Sequence, residues 1–487
     1  MLFNSYPFFI FFPLVYIVYW LLQRSSLRAQ NFFLLTASYF FYGWWDYRFL
    51  SLIFVSSCVD FLVGKLLDRD TRPSRRKFLL WISICCNLGI LGVFKYFDFF
   101  IQSFGALIES AGFSANLPTL RIVLPVGISF YTFQTMSYTI DIYRGKIKSS
   151  QDPIAFFAFV SFFPQLVAGP IERAKNLLPQ FEKRRVFNIV DASDGVRQML
   201  WGFVKKVLVA DNLAHHIDAI YQNYETLDGV SIAIGTYLFA IQIYCDFSGY
   251  SDIAIGSSRL FGFRLMRNFA YPYFSRDIAE FWQRWHISLS SWFRDYVYIP
   301  LGGGHVAPTR HVINILITFV ISGFWHGANW TFVVWGFING CYYLPLMVLN
   351  RHKQNTDIVA EGTWLPRFGE LVAMLQTFIL VNIAWVFFRA DSLGTAFGML
   401  GIIFTSPFGE IWQTEPSLIS IFWYYIHPTY FFTLFILGVE WMQRTKTHGL
   451  EISHLPTWVR WLIYYVITFL VWGWGEYSHV PFIYFQF

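Results

Sequence analysis

The chain alternates long apolar runs with short polar stretches. The apolar runs are Phe8–Leu22, Phe32–Trp45, Phe49–Leu67, Phe78–Val93, Ile122–Ile140, Ile154–Ala168, Gln198–Val209, Ile232–Cys245, Val312–Trp325, Trp330–Leu349, Leu371–Phe388, Leu418–Val439 and Trp458–Trp474. A helix crosses a bilayer in about 20 apolar residues. Several runs fall short of that, so the pattern predicts roughly 11 to 13 transmembrane or re-entrant helices, some tilted or broken. Met1–Gln23 carries no charged side chain and shows neither the basic start nor the small-residue cleavage site of a signal peptide, so Phe8–Leu22 reads as a retained first span. Without a long polar linker, a low-complexity tract or a clear internal repeat, the chain reads as one membrane domain over 1–487, with a basic, loop-rich middle between about Gly145 and Gly195.

Composition sharpens this to an all-α, polytopic integral membrane protein. Of 487 residues, 55% are apolar and 21% aromatic, and only 14% are charged. An ordinary soluble domain carries about 25% charge, and a globule of this size has no interior able to hide so much apolar surface. Disorder is excluded by the aromatic content. The net charge of +6 matters less than its placement. Lys65–Lys77 holds Lys65, Arg69, Arg72, Arg75, Arg76 and Lys77, and Arg173–Arg185 holds Arg173, Lys175, Lys183, Arg184 and Arg185, so both stretches read as cytoplasmic. Thr405–Tyr430 contains Glu410 and Glu415 but no Lys or Arg and reads as external, together with the N-terminus. The five cysteines lie in apolar stretches, with no spacing that suggests a disulfide framework or a metal site. Phosphate-binding loops, dinucleotide fingerprints, zincin motifs and nucleophile elbows are absent, and nothing in the pattern points to nucleic acid.

Ionisable residues inside apolar runs are costly and therefore mark candidate sites. His326 is the only Asp, Glu, Lys, Arg or His between Val312 and Asn350. A straight helix over that stretch would run about 58 Å, longer than a bilayer is thick, so the chain is expected to turn near Gly327–Asn329. Gly323 and Gly327 bracket His326, where glycine lets the backbone bend or lets a substrate approach closely. The alternative is a neutral histidine hydrogen-bonded at a buried or external turn. A second cluster, Glu280–Asp295, mixes Trp282, Trp285 and Trp292 with Arg284, His286 and Arg294. It reads either as an interfacial aromatic belt with snorkelling arginines or as a polar funnel that holds a phosphorylated donor. A third, Tyr244–Asp252, places Asp246 and Asp252 beside Ser248, Gly249 and Ser251. It suits a broken helix lining a cavity; alternatively the two aspartates pair with Arg259 or Arg264 and brace the bundle. In residues 162–171, Phe-Phe-Pro-Gln-Leu-Val-Ala-Gly-Pro-Ile, two prolines and a glycine predict a break or re-entrant turn.

Taken in order, the stretches at 162–171, 246–252 (Asp-Phe-Ser-Gly-Tyr-Ser-Asp), 281–290 (Phe-Trp-Gln-Arg-Trp-His-Ile-Ser-Leu-Ser) and 324–327 (Phe-Trp-His-Gly), with the ending Phe-Ile-Tyr-Phe-Gln-Phe, resemble the membrane-bound O-acyltransferase family. The likeness covers nearly the whole chain and is strongest to the bacterial membrane subunits that O-acetylate alginate or peptidoglycan; the subunit that transfers D-alanine to teichoic acids looks more distant. The resemblance implies helices surrounding a tunnel, with acetyl-CoA entering from the cytosol as donor substrate and no bound cofactor or metal. It implies a polysaccharide acceptor, an extracytoplasmic, SGNH-hydrolase-like acetyltransferase partner and residence in the bacterial inner membrane, among its lipids. His326 matches the family's catalytic histidine and His286 its second marked position. His326 is then the expected general base, and His286 is expected to orient the donor or stabilise an oxyanion. Trp325, Asn329, Asp246, Asp252, Arg284 and Arg294 are candidates for lining the donor site or tunnel. Two other classes stay open on the sequence: a transporter or export channel for a polysaccharide or its precursor, which should show a two-fold repeat, and a non-catalytic scaffold.

Overall fold

A computed structural model describes residues 1–113, 117–120, 124–409, 425, 427–477 and 482–483, and no strand occurs among them. The helices in chain order are α1 (Tyr6–Leu21), α2 (Leu27–Gly43), α3 (Leu50–Arg69), α4 (Pro73–Leu91), α5 (Phe97–Ser110), α6 (Ile128–Tyr143), α7 (Pro153–Ser161), α8 (Phe163–Leu166), α9 (Ala174–Phe181), α10 (Ile189–Phe203), α11 (Asp211–Gln222), α12 (Gly229–Leu260), α13 (Ile278–Arg284), α14 (Ile287–Phe293), α15 (Pro308–His326), α16 (Trp330–Val348), α17 (Phe368–Arg389), α18 (Leu393–Thr405), α19 (Phe431–Met442) and α20 (Thr457–Trp474). Among the described residues, six helical stretches are long and apolar enough to cross a membrane: Tyr6–Arg24, Tyr47–Arg69, Pro73–Ser110, Gly229–Leu260, Trp330–Val348 and Phe368–Arg389. The others are shorter or more polar. The expected spans Ile122–Ile140 and Leu418–Val439 begin outside the described residues, as does part of the external loop 405–430 and most of the C-terminal ending.

The chain divides into two compact units, residues 1–196 with 254–266 and residues 197–253 with 267–487. In the first, α2 packs on α7, and α3 packs on α4 and α6. Its apolar core is phenylalanine-rich: Phe163 meets Phe11 and Phe261 edge-on at 5.4 and 5.7 Å. The run Ile154–Ala168 breaks where the prolines predict, with α7 ending at Ser161 and α8 starting at Phe163. The freed Phe163 amide donates to Ser38 Oγ at 3.1 Å. Among the charged side chains buried here, Asp60 and Arg185 are satisfied by neutral groups. Asp60 accepts from Ser83 Oγ at 2.5 Å and Asn87 Nδ2 at 2.8 Å. Arg185 donates to Tyr19, Gln30 and Asn31 and lies over the Phe263 ring. Burial without such partners would cost several kcal/mol per group, on the order of 2–7 even for an uncharged one.

The second unit holds the hairpin of α15 and α16. The chain turns at Gly327–Asn329, as the length argument predicts. Asn329 caps α16, accepting from the Thr331 amide at 3.0 Å. Gly323 serves helix packing rather than bending. A Cβ built on it would lie 2.2 Å from the Phe332 carbonyl oxygen, and one on Gly336 would lie 2.4 Å from that of Phe319. Small residues at such a crossing let two membrane helices touch along their backbones.

This gives a prediction in which two effects oppose each other. In an open helix, Gly→Ala stabilises by about 1 kcal/mol through helix propensity. At Gly323 the steric cost, about 1–3 kcal/mol, outweighs that gain. Gly323→Ala is therefore expected to lower the midpoint of thermal unfolding in detergent. Gly89→Ala in α4, where a Cβ meets nothing within 4 Å, is expected to raise it slightly. A higher midpoint for Gly323→Ala would contradict the packing argument.

The expected break at Tyr244–Asp252 is not found: α12 runs unbroken from Gly229 to Leu260. Its glycine has another use. A Cβ on Gly249 would sit 2.8 Å from the Gly202 carbonyl oxygen and 3.0 Å from the Lys206 amide, so the position permits a close crossing and not a kink.

Candidate active site

His326 is the last residue of α15 and is 4% exposed. Its ring is boxed by Trp325 at 5.0 Å, Trp335 of α16 at 5.1 Å and Phe388 of α17 at 5.3 Å between centroids. Trp385 stacks behind Trp335 at 5.7 Å, and Phe332 packs edge-on against Phe388 at 4.9 Å. The helical spacing of Phe332 with Trp335, and of Trp385 with Phe388, puts each pair on one face toward the histidine.

His286 sits between α13 and α14 in the left-handed region, with φ 44° and ψ 53°, and is completely buried. That conformation costs a side chain other than glycine about 1–2 kcal/mol, and the surroundings enforce it. Asp277 caps α13 by accepting from the Glu280 amide at 2.8 Å. Ala270 N–H donates to the Arg284 carbonyl, and Ile287 N–H donates to that of Asn268, both at 2.9 Å. Strand-like pairing of residues 268–270 with 284–287 thus clamps the turn from both sides. The His286 ring rests edge-on against Phe247 of α12 at 4.6 Å. Its Nδ1 lies 3.0 Å from Asn268 Oδ1. Burial pushes the ring's pKa down to about 3, so it is neutral at neutral pH.

The two histidines, 40 residues apart in sequence, stand with ring centroids 6.5 Å apart, and Trp325 touches both. A cavity of about 370 Å³ is lined by Trp282, Gln283, Ile287, Ser290, Arg294, Tyr298 and Ser322, among others, with neither histidine in its lining. Ile287 follows His286, and Ser322 lies one helical turn before His326.

Among the remaining sequence candidates, Arg294 lines this cavity and pairs with Asp295 at 2.8 Å, its side chain largely exposed. Arg284 is committed elsewhere. With Arg276 it brackets the buried Glu280 carboxylate, at 2.7 and 3.1 Å, and it donates to the Asp357 carbonyl oxygen at 2.8 Å. The Arg276 guanidinium beside Asp357 holds that carboxyl below the usual carboxylate range. Asn329 spends its amide on the helix cap and on the Asp391 carbonyl.

Asp246 and Asp252 do not pair with Arg259 or Arg264, which bind Asp194 and Asp191. Their partners are two buried lysines on a π-helical bulge at Val204–Ala210. Lys206 bridges Asp246 at 2.7 Å and Asp211 at 2.8 Å, while Lys205 meets Asp252 at 2.5 Å. The two lysines bring their ammonium groups to the crossing itself, while Arg259 and Arg264 are engaged by Asp194 and Asp191. The lysines were visible as two charges inside the apolar run Gln198–Val209. Asn268 and the aromatic walls from α16 and α17 gave no comparable signal in the sequence.

Residues 143–363 match the profile described as MBOAT, membrane-bound O-acyltransferase family. The chain is 40% identical over 419 residues to the probable alginate O-acetylase AlgI of Pseudomonas putida, covering 85% of this chain and 81% of that protein. It is 34% identical over 437 residues to the peptidoglycan O-acetyltransferase of Helicobacter pylori, covering 82% and 80% respectively. A weaker likeness, 26% over 288 residues, links it to the teichoic acid D-alanyltransferase of Bacillus subtilis.

Proposed function

We infer, because the chain belongs to the membrane-bound O-acyltransferase family, that this multi-pass membrane acyltransferase O-acetylates an exported polysaccharide with acetyl groups from cytosolic acetyl-CoA. Alginate and peptidoglycan are the acceptors the relatives' names suggest. The bacterial inner membrane is its location on this reading, and an extracytoplasmic acetyltransferase of SGNH-hydrolase type is its partner. The observation that carries the reading is the meeting of His286 and His326, both buried, in one aromatic enclosure whose neighbours Ile287 and Ser322 line a cavity.

A thioester is already activated, so the protein has two tasks: to position it and to take a proton from the attacking hydroxyl. An imidazole does the second near neutral pH. His326 accepts the hydroxyl proton as the new C–O ester bond forms and the C–S bond breaks. The departing thiolate then takes that proton and leaves as the CoA thiol. Holding the reacting groups together in a dry enclosure lowers the entropic share of the barrier. Arg294, at the cavity and with its side chain largely exposed, suits attraction of the CoA phosphates.

The test is transfer of label from [acetyl]-CoA into alkali-labile glycan esters by membrane vesicles that contain this protein and its extracytoplasmic partner. Donor-dependent labelling is expected. Glycan flux across the vesicle without any acetyl donor, and no labelling with it, would overturn the reading in favour of transport.

A further inference from the structure

We infer that Asn268 is a positioning residue that holds His286 as the Nδ1–H tautomer, leaving Nε2 as a hydrogen-bond acceptor within the acyl-transfer site. The inference rests on the proposed acyl-transfer function for its consequence, though not for its geometry.

Asn268 is completely buried on the segment that pairs with the His286 turn. The orientation of its amide is dictated by its neighbours. The Ser288 backbone N–H points at one amide atom from 3.3 Å and can only donate, so that atom is Oδ1. The amide's other end, Nδ2, donates to Ser251 Oγ at 3.2 Å. Ser288 Oγ lies 2.9 Å from the same Oδ1. A carbonyl-type oxygen has no hydrogen to give, so the single hydroxyl hydrogen of Ser288 goes to it. His286 Nδ1, 3.0 Å from Oδ1, must then carry its own hydrogen, since two lone pairs would otherwise face each other in a buried site. Ser288 Oγ stands farther from Nδ1, at 3.4 Å, and has no second hydrogen to offer it.

A neutral imidazole protonated at Nδ1 presents a lone pair at Nε2. Such a ring accepts a hydrogen bond from a hydroxyl and has none to donate to an oxyanion. The expectation that His286 stabilises an oxyanion is thereby replaced. The attacking hydroxyl's single hydrogen goes to His326, so His286 positions the acceptor through Nε2 by accepting from another of its hydroxyls, with Asn268 setting that direction through the ring's other nitrogen. The left-handed turn and the Phe247 contact fix the plane of the ring, and Asn268 fixes which edge is which.

The experiment is solid-state 15N NMR of the full-length protein, histidine-labelled and reconstituted in lipid, with the His286 signals identified by their loss in His286→Gln. A protonated Nδ1 and bare Nε2 are expected. In Asn268→Leu the signals should shift to the other tautomer or to a mixture, and kcat for acetyl transfer from acetyl-CoA should fall about 10- to 100-fold, with the donor's KM changed far less. Asn268→Asp keeps the oxygen and is expected to retain Nδ1–H, which covers the case in which Asn268→Leu fails to fold. A bare Nδ1 in the wild-type protein, or an Asn268→Leu variant with unchanged spectrum and kcat, would overturn the inference. The spectrum does not depend on turnover, so failure of the acyl-transfer reading would show separately, as no labelling of the glycan by wild-type protein supplied with labelled acetyl-CoA.

Discussion

His326→Ala should reduce acetyl transfer to the glycan by at least about 10²-fold, the lower end of what a positioned general base contributes, while the protein remains folded and inserted. The ring is the only Asp, Glu, Lys, Arg or His side chain between Val312 and Asn350 and is enclosed by Trp325, Trp335 and Phe388. The other imidazole on α15, His311, lies about four helical turns away and is engaged with the Tyr298 hydroxyl at 2.7 Å, so it does not take its place. The surrounding packing does not depend on it: Trp335 stacks on Trp385, and Phe388 meets Phe332, Trp335 and Trp385 without passing through the imidazole. His326→Gln fills more of the same space with a side chain that is not a base, so it separates lost chemistry from the cavity that alanine leaves. Both variants should match wild type in membrane abundance and in gel-filtration profile, and both should be inactive. Near wild-type transfer by either one would remove His326 from the mechanism.

Lys206→Met should cost about 3–5 kcal/mol of stability, the range for breaking a buried ion pair from one side. The ammonium bridges Asp246 and Asp211, and all three side chains are at most 4% exposed. Removing it leaves two carboxylates in contact with each other's field and no cation between them. Activity should fall as well, through a traceable path. Asp246 Oδ2 also accepts from the Ile483 amide at 2.7 Å, and neighbouring Phe482 packs on Phe247 and Tyr250. Phe247 in turn supports the His286 ring. The measurement is the thermal midpoint in detergent, compared with that of Lys206→Met/Asp211→Asn/Asp246→Asn. Neutralising both carboxylates with the lysine should recover much of the loss, because no unpaired charge then remains buried. A single variant as stable as wild type would show that the bridge does not bear on the fold.

Why some of this was legible in the chain and some was not follows from where each free-energy term acts. Apolar run length and the scarcity of charge settle the membrane character, because the cost of placing backbone and charge in hydrocarbon acts on each segment alone. The same local cost singles out His326, and the length of its apolar stretch forces the turn that Asn329 caps. The prolines of 162–171 break their helix for an equally local reason. The glycines show the limit. Gly249 looked like a kink and Gly323 like a bend, yet each lies within a helix at a point where another backbone crosses. A missing Cβ looks the same in sequence whether it serves torsion or contact.

The chain by itself therefore determined the helical membrane architecture, the hairpin whose first helix ends at His326, and His326 as the ionisable side chain out of place, while His286 stood out through the family resemblance. Only the tertiary structure decided their partners. It brought His286 to 6.5 Å from His326, gave Asp246 and Asp252 to lysines rather than arginines, turned Arg284 toward Glu280, and set Asn268 behind the His286 ring. Propensity, hydropathy and caps are written in neighbouring residues; a hydrogen bond across 18 residues or a ring contact across 40 exists only once the helices have packed.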